Sequence, residues 1–154
     1  MLYGWQVMAI NLYICGAMVY VTRVEHFNAA HKLYNPNWTV EQNEVAFGPC
    51  ANENWHGHNY EMHVTVKGEP HPDSGFIIDV KKLSKIIKEH VLDKVDHKNL
   101  NLDVEFMRNQ LASTENFVIS IWKELEPHII GGKLHQIRLY ETPRIYVDYY
   151  GWDI

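Results

Sequence analysis

The segment of residues 50–60, with the sequence CANENWHGHNY, contains residue types that can bind a metal ion or act as a nucleophile. His56 and His58 are two positions apart, and side chains at that spacing on a strand share one face. The two imidazoles can therefore converge on one ion, and three protein ligands with an open fourth position are typical of catalytic zinc. His31, at the end of the preceding predicted strand, is the best candidate for the third ligand. Such histidine pairs also occur on exposed strands without a metal, and the pair alone leaves that alternative open.

Cys50 offers a second kind of chemistry, because it lies six residues before His56 in a loop that also contains Gly48 and Pro49. A cysteine thiolate is a base or a nucleophile when a nearby cation stabilises it, and zinc or an imidazolium would do so. The alternative is that Cys50 is a small buried hydrophobic residue. The sequence alone leaves both interpretations open.

Two further sets of residues could take part in acid–base chemistry or binding. Asp96 and His97 are adjacent, and a carboxylate beside an imidazole can fix its tautomer and raise its basicity, although adjacent side chains do not always touch. Glu141, in the sequence YETP, ends a predicted strand, and its carboxylate could accept two N–H donors from a planar, guanidine-like group. By itself Glu141 could equally be an ordinary turn residue.

The elements that must position these residues follow from the hydrophobic pattern. Residues 18–33 and 56–67 are strand-like, and the intervening residues 35–54 have the composition of a long loop. Asp79 is a plausible N-cap for a first helix, a second begins near Ser113 or Thr114, and two strands around Pro143 close the chain. The order ββααββ predicts an α+β domain with a four-stranded antiparallel sheet and two helices on one face.

Composition narrows the functional class. The chain has 154 residues and a formal net charge of −5, which fits one domain and argues against a nucleic-acid-binding protein. Two cysteines are too few for a disulfide framework, so we expect a reduced, cytoplasmic protein. Residues 1–17 carry no charged side chain but are short for a membrane span. We expect them to be an extension outside the fold, and residues 18–154 to form a single domain.

Taken together, the motifs FNAAHKL, FGPCANENWHGHNY, GFIIDVKKL, VDHKNLN, STENFVISIW and LYET resemble the 6-pyruvoyl-tetrahydropterin synthase family, which includes 6-carboxytetrahydropterin synthase. The resemblance covers about residues 18–151 and implies the tunnelling (T-fold) architecture. It further implies trimers that pair into hexamers, with active sites at subunit interfaces and without membrane or nucleic-acid partners. The first 17 residues have no counterpart in the family, and ETPRIY differs from the turn of its animal members.

The resemblance also implies roles for individual residues. Zinc would be held by the residues already grouped by spacing, His31, His56 and His58. The implied catalytic residues are Cys50, Asp96 and His97. The implied pterin-binding residues are Glu141 as the anchor, with Thr114 and Glu115 along the pocket.

The implied activity is that of a zinc-dependent lyase acting on 7,8-dihydroneopterin triphosphate, forming 6-pyruvoyl-tetrahydropterin with loss of triphosphate. The alternative is 6-carboxytetrahydropterin synthesis with release of acetaldehyde, a step towards queuosine. The five residues between Cys50 and His56 favour the pyruvoyl type. Two other classes are a non-catalytic, zinc-stabilised pterin-binding protein and a zinc hydrolase, for which Glu53 is the only candidate base.

Overall fold

The computed structural model describes residues 16–151 and contains one five-stranded sheet in the order β3-β1-β2-β4-β5. Neighbouring strands are antiparallel except β1 and β3, which are parallel. The strands are β1 (Val19–His31), β2 (His56–Gly68), β3 (Lys98–Asn99), β4 (Lys133–Thr142) and β5 (Ile145–Tyr149). The helices are α1 (Val40–Phe47), α2 (Val80–Ile87), α3 (Asp93–Val95) and α4 (Thr114–Leu125), with a π turn (Lys88–Leu92) joining α2 to α3.

One face of the sheet carries the core because its side chains alternate along β1 and β2. Phe27 of β1 pairs with Tyr60 of β2, and both are buried, whereas Asn28 and Asn59 on the other face are exposed. The helices α2 and α4 cover the buried face. The predicted α+β arrangement, with helices on one face of the sheet, is confirmed.

Both predicted helices are present, with the expected caps. The Asp79 side chain accepts a hydrogen bond from Lys81 N at 2.8 Å, and Ser113 accepts one from Asn116 N at 3.3 Å. Each satisfies a backbone N–H that the first turn of a helix leaves without a partner. The apolar residues predicted to line one face of each helix, including Leu83 and Phe117, are buried against the sheet.

The predicted strand number was wrong by one. The short strand β3 pairs with Ala29 and Ala30 of β1, and His97 N donates to Asn28 O at 2.7 Å just before it. Two residues cannot show a periodic pattern, so the sequence gives no strand signal here. This pairing places the Asp96–His97 dipeptide at the edge of β1.

The prediction of an unbroken loop over residues 35–54 was also wrong, because α1 lies within it. Thr39 and Gln42 form a reciprocal capping box, with Thr39 Oγ1 accepting from Gln42 N at 3.2 Å and Gln42 Oε1 accepting from Thr39 N at 2.9 Å. The buried residue of α1 is the polar Asn43. Its side chain accepts a hydrogen bond from Asn35 N and donates one to Asn35 O. A helix that buries an asparagine has no apolar stripe from which it could be predicted.

The predicted domain boundary lies after residue 17, and residues 1–15 of the predicted extension are outside the described residues. The boundary therefore stays a prediction. Within residues 16–151, no helix is long and apolar enough to cross a bilayer.

Candidate metal and active site

Three histidines converge at one end of the β1–β2 ladder. His31 is the last residue of β1 and pairs with His56, the first residue of β2, while His58 pairs with Ala29. One ligand atom from each histidine lies within 4.8 Å of the other two. Gly57 permits the close approach of the strands, since a Cβ there would lie 3.2 Å from Ala29 O. The group predicted from spacing is therefore assembled by strand pairing.

His31 has a defined tautomer. Its side chain is 2% exposed, and Nδ1 donates to the carbonyl oxygen of Ala112 at 2.7 Å. Because the ring hydrogen is on Nδ1, the lone pair is on Nε2, which is buried and has no hydrogen-bond partner among the described residues. A metal-binding histidine usually has this arrangement, with the second nitrogen held by a carbonyl group.

Burial keeps the three imidazoles in the form that binds a metal. Desolvation lowers the pKa of His31, His56 and His58 below the usual value of 6.5, although Glu141 acts in the opposite direction. All three rings are therefore neutral at pH 7, and neutral imidazole is the ligand form.

Glu141, the predicted pterin anchor, adjoins this group. Its Oε1 atom lies 3.4 Å from His31 Nε2 and 3.6 Å from His58 Nε2. Tyr140 of β4 pairs with Glu61, so the next residue, Glu141, faces the helix-covered side of the sheet. Three neutral imidazoles, with a carboxylate beside two of them, are a donor set that fits a divalent cation such as zinc.

Tyr60 is a further buried polar residue beside the site that the sequence analysis missed. It is 1% exposed, and its hydroxyl has no hydrogen-bond partner among the described residues. Burial, with Glu141 as a second cause, raises the pKa of Tyr60. Its position in HGHNY was the available signal, because Tyr60 follows His58 by two residues and so shares its face.

Cys50 lies in a 3-10 turn (Gly48–Ala51) that is tied to the chain just after β1. The Cys50 carbonyl oxygen accepts a hydrogen bond from Leu33 N at 2.8 Å. This hydrogen bond holds the turn against the residue two positions after His31. The cysteine is partly exposed, is not disulfide-bonded, and does not belong to the mutually close group of ligand atoms found in the described residues. The proton-transfer role of Cys50 stays a prediction.

Asp96 and His97 do touch, as an acid–base pair requires. His97 Nδ1 lies 3.0 Å from Asp96 Oδ1, and the same oxygen accepts a hydrogen bond from Asn28 N at 2.9 Å. The Asn28 N–H, with His97 as a further cause, lowers the pKa of Asp96. His97 has a φ of 58°, a conformation that is uncommon for residues other than glycine. The hydrogen bond that His97 N donates to Asn28 O holds the backbone there, and the one that Asp96 Oδ1 accepts from Asn28 N holds the neighbouring carboxylate.

The structure does not join this pair to the histidine group directly. No hydrogen bond or ion pair within residues 16–151 links Asp96 or His97 to the three histidines or to Glu141. His97 and His58 both line an open cavity of about 530 Å³. The His97 side chain is 77% exposed, which leaves the imidazole free to contact another molecule.

Thr114 and Glu115 form the first turn of α4, directly after the Ala112 carbonyl that holds His31. Thr114 is buried and Glu115 is exposed. The helix start therefore borders the site, and the pterin-binding roles of Thr114 and Glu115 stay predictions.

Comparison with known proteins gives a consistent family. A family model described as 6-pyruvoyl tetrahydropterin synthase matches residues 20–151. The 6-pyruvoyl tetrahydrobiopterin synthase of Pongo abelii is 39% identical over 131 residues, which cover 85% of this chain and 90% of that protein. The structure of the Caenorhabditis elegans 6-pyruvoyl tetrahydropterin synthase matches with a TM-score of 0.84 and 37% identity, covering 88% of this chain and 97% of the other. The 6-carboxy-5,6,7,8-tetrahydropterin synthase of Haemophilus influenzae is 25% identical over 122 residues, covering 66% of this chain and 84% of that protein.

Proposed function

Since the chain belongs to the 6-pyruvoyl tetrahydropterin synthase family, we propose that it is a zinc-dependent lyase that converts 7,8-dihydroneopterin triphosphate to 6-pyruvoyl-tetrahydropterin and releases triphosphate. The observation that carries the proposal is the group of three neutral histidines within a chain that matches the family along nearly its whole described length. The net reaction breaks one carbon–oxygen bond and shifts protons within the side chain and the pterin ring.

The residues that would hold zinc are His31, His56 and His58, whose ligand atoms already lie within 4.8 Å of one another. Zinc bound there would supply a Lewis acid that lowers the pKa of the substrate's side-chain hydroxyl groups. The Ala112 carbonyl orients His31 for this task without the metal, because it fixes the ring hydrogen on Nδ1.

Proton transfer is the work of the chain's other polar residues. Cys50, as a thiolate, removes a carbon-bound proton from the substrate side chain, and Asp96 and His97 move protons at the opposite face. The contact between Asp96 and His97 supports this role, because the carboxylate stabilises the imidazolium that forms when His97 takes up a proton. Glu141 accepts hydrogen bonds from the pterin ring, with Thr114 and Glu115 along its edge.

We further propose that the active site is completed between subunits of a hexamer. The exposure of His97 supports this arrangement, because an acid–base group must be shielded from water to act efficiently and the described chain does not shield it. A second copy of the chain would supply that cover and bring His97 close to Cys50.

The pyruvoyl product is favoured over the carboxy product by two observations. The identity to the Pongo abelii synthase is 39%, against 25% to the Haemophilus influenzae 6-carboxy-5,6,7,8-tetrahydropterin synthase. The spacing of five residues between Cys50 and His56 also fits the pyruvoyl type. A zinc hydrolase that uses Glu53 has no comparable support, because Glu53 is exposed and the carboxylate at the histidine group is that of Glu141.

The test is a product assay with zinc-loaded protein and 7,8-dihydroneopterin triphosphate, in which mass spectrometry identifies the pterin. We expect 6-pyruvoyl-tetrahydropterin from the zinc-loaded protein and none from protein treated with a chelator. Binding of the pterin without any turnover would contradict the proposal and would favour the non-catalytic binding protein.

A further inference from the structure

The contact between Glu141 and the histidine group is electrostatically unfavourable unless a cation lies within it. His31 donates its ring hydrogen to Ala112, so its Nε2 presents a lone pair to the Glu141 carboxylate oxygen at 3.4 Å. No hydrogen bond joins these two atoms. Two electron-pair donors that face each other in a partly buried position repel, and partial burial strengthens this repulsion because the local dielectric constant is lower than in water.

The distances match those between neighbouring ligands of a tetrahedral metal site. Ligand atoms about 2.0 to 2.2 Å from a zinc ion at tetrahedral angles lie roughly 3.3 to 3.6 Å apart. Glu141 Oε1 lies 3.4 Å from His31 Nε2 and 3.6 Å from His58 Nε2. The carboxylate therefore has the spacing of a ligand relative to His31 and His58. The group in which all ligand atoms lie within 4.8 Å of one another consists of the three histidines, so Glu141 would have to move closer to His56 when the metal binds.

From these contacts we propose that Glu141 is the fourth ligand of the metal in the substrate-free protein. The three-histidine site predicted from the sequence is then a site of three histidines and one carboxylate. This inference rests on the metal site of the proposed function and adds a ligand to it. One oxygen, Oε1, faces the histidines, so Oε2 remains available to accept a hydrogen bond from the pterin ring.

The geometry of β4 supports a ligand role rather than an accidental contact. Glu141 lies on the same sheet face as the buried Leu139, and its side chain is 19% exposed. A partly buried carboxylate without a cationic partner carries a desolvation penalty, which a bound divalent cation would offset. Within residues 16–151, the groups within 4 Å of the Glu141 carboxylate that could take a positive charge are the imidazoles of His31 and His58.

The test measures metal affinity, which does not depend on turnover. Three proteins are compared: the wild type, Glu141→Gln and Glu53→Gln. Competition with a chelating dye gives their dissociation constants for zinc and cobalt. Visible absorption spectra are recorded for the cobalt forms. Gln keeps the size of the side chain and removes the charge. Glu53 is an exposed carboxylate near the same end of the sheet and serves as the matched control.

We expect Glu141→Gln to weaken zinc binding by at least about tenfold and to change the cobalt spectrum, with Glu53→Gln equal to the wild type. Unchanged affinity and an unchanged spectrum in Glu141→Gln would overturn the inference. So would a zinc-loaded crystal structure in which water, and not Oε1, is the fourth ligand. If the wild type forms the product but Glu141→Gln binds zinc as tightly as the wild type, only this inference is refuted. If Glu141→Gln binds zinc more weakly than the wild type but the wild type forms no product, only the proposed function is refuted.

Discussion

The ring hydrogen of His31 is held by the carbonyl oxygen of Ala112, 81 residues further along the chain, at a distance of 2.7 Å. This hydrogen bond links the end of β1 to the segment before α4 and fixes which nitrogen of His31 faces His58 and Glu141. The orientation of the proposed metal ligand is therefore a property of the folded chain and does not require the metal to be bound.

Replacing His56 tests the metal site directly. His56→Ala removes one of three neutral imidazoles, and we expect the purified variant to lose most of its bound zinc in elemental analysis. The matched control is His63→Ala, because His63 lies on the same strand but on the opposite face of the sheet and contacts Glu61. Full zinc occupancy in His56→Ala would contradict the three-histidine assignment.

The histidine group could be predicted from the sequence because it depends on only two simple rules. The spacing of His56 and His58 gives a common face, and antiparallel pairing of consecutive strands brings His31 opposite His56. The position of Glu141 could not be predicted in this way. It depends on the register between β2 and β4, which places Tyr140 opposite Glu61, and no sequence pattern indicates the register of two strands that are not consecutive in the chain.

The same limit explains what was missed elsewhere in the fold. Helices α2 and α4 were predictable because their apolar residues recur at helical spacing between recognisable caps. In α1 the buried side chain is that of Asn43, which is held by hydrogen bonds to the backbone of Asn35. Such hydrogen bonds produce no hydrophobic pattern in the sequence. Strand β3 exists only because it pairs with β1, which is tertiary information.

Stability of the metal-free protein should depend on pH through the three histidines. Burial lowers the pKa of His31, His56 and His58 in the folded state below 6.5, so the unfolded state binds more protons in acid. The free energy of unfolding should be constant above about pH 7.5 and fall below about pH 6.5, by up to about 1.4 kcal/mol per pH unit for each histidine.

Urea unfolding of chelator-treated protein between pH 8 and pH 5.5 measures this dependence. A free energy of unfolding that does not fall between pH 6.5 and pH 5.5 would show that the three rings are not buried as neutral groups.

Tyr60→Phe should not destabilise the protein. The Tyr60 hydroxyl is buried and has no hydrogen-bond partner among the described residues, whereas its ring packs against Phe27 and Phe117. Phenylalanine keeps the packing and removes an unsatisfied polar group, so the free energy of unfolding should stay the same or rise by roughly 1 kcal/mol. Urea unfolding at pH 8 measures it, and a loss above about 1 kcal/mol would show that the hydroxyl does have a partner.

Cys50→Ala should separate catalysis from metal binding. The thiol does not belong to the group of ligand atoms, so we expect normal zinc content and pterin binding. Turnover should fall by about 100-fold or more, because a positioned general base is lost. Rates close to those of the wild type would show that another group removes the proton.

Mixing two inactive variants tests whether the site is shared between subunits. We expect light scattering to give the mass of six chains, and Cys50→Ala and His97→Ala to be separately inactive. If Cys50 and His97 meet from different chains, co-refolded equal mixtures should recover about a quarter of wild-type activity, since random assembly leaves that share of sites intact. Mixtures that stay inactive, or a monomer with full activity, would refute the shared site.

Formation of 6-pyruvoyl-tetrahydropterin by this chain is tested by the amount of acetaldehyde formed per molecule of substrate consumed. Zinc-loaded protein is incubated with 7,8-dihydroneopterin triphosphate, and triphosphate, acetaldehyde and the pterin product are quantified together. We expect one triphosphate and one 6-pyruvoyl-tetrahydropterin per substrate, with no acetaldehyde. One acetaldehyde per substrate, together with 6-carboxytetrahydropterin, would contradict it.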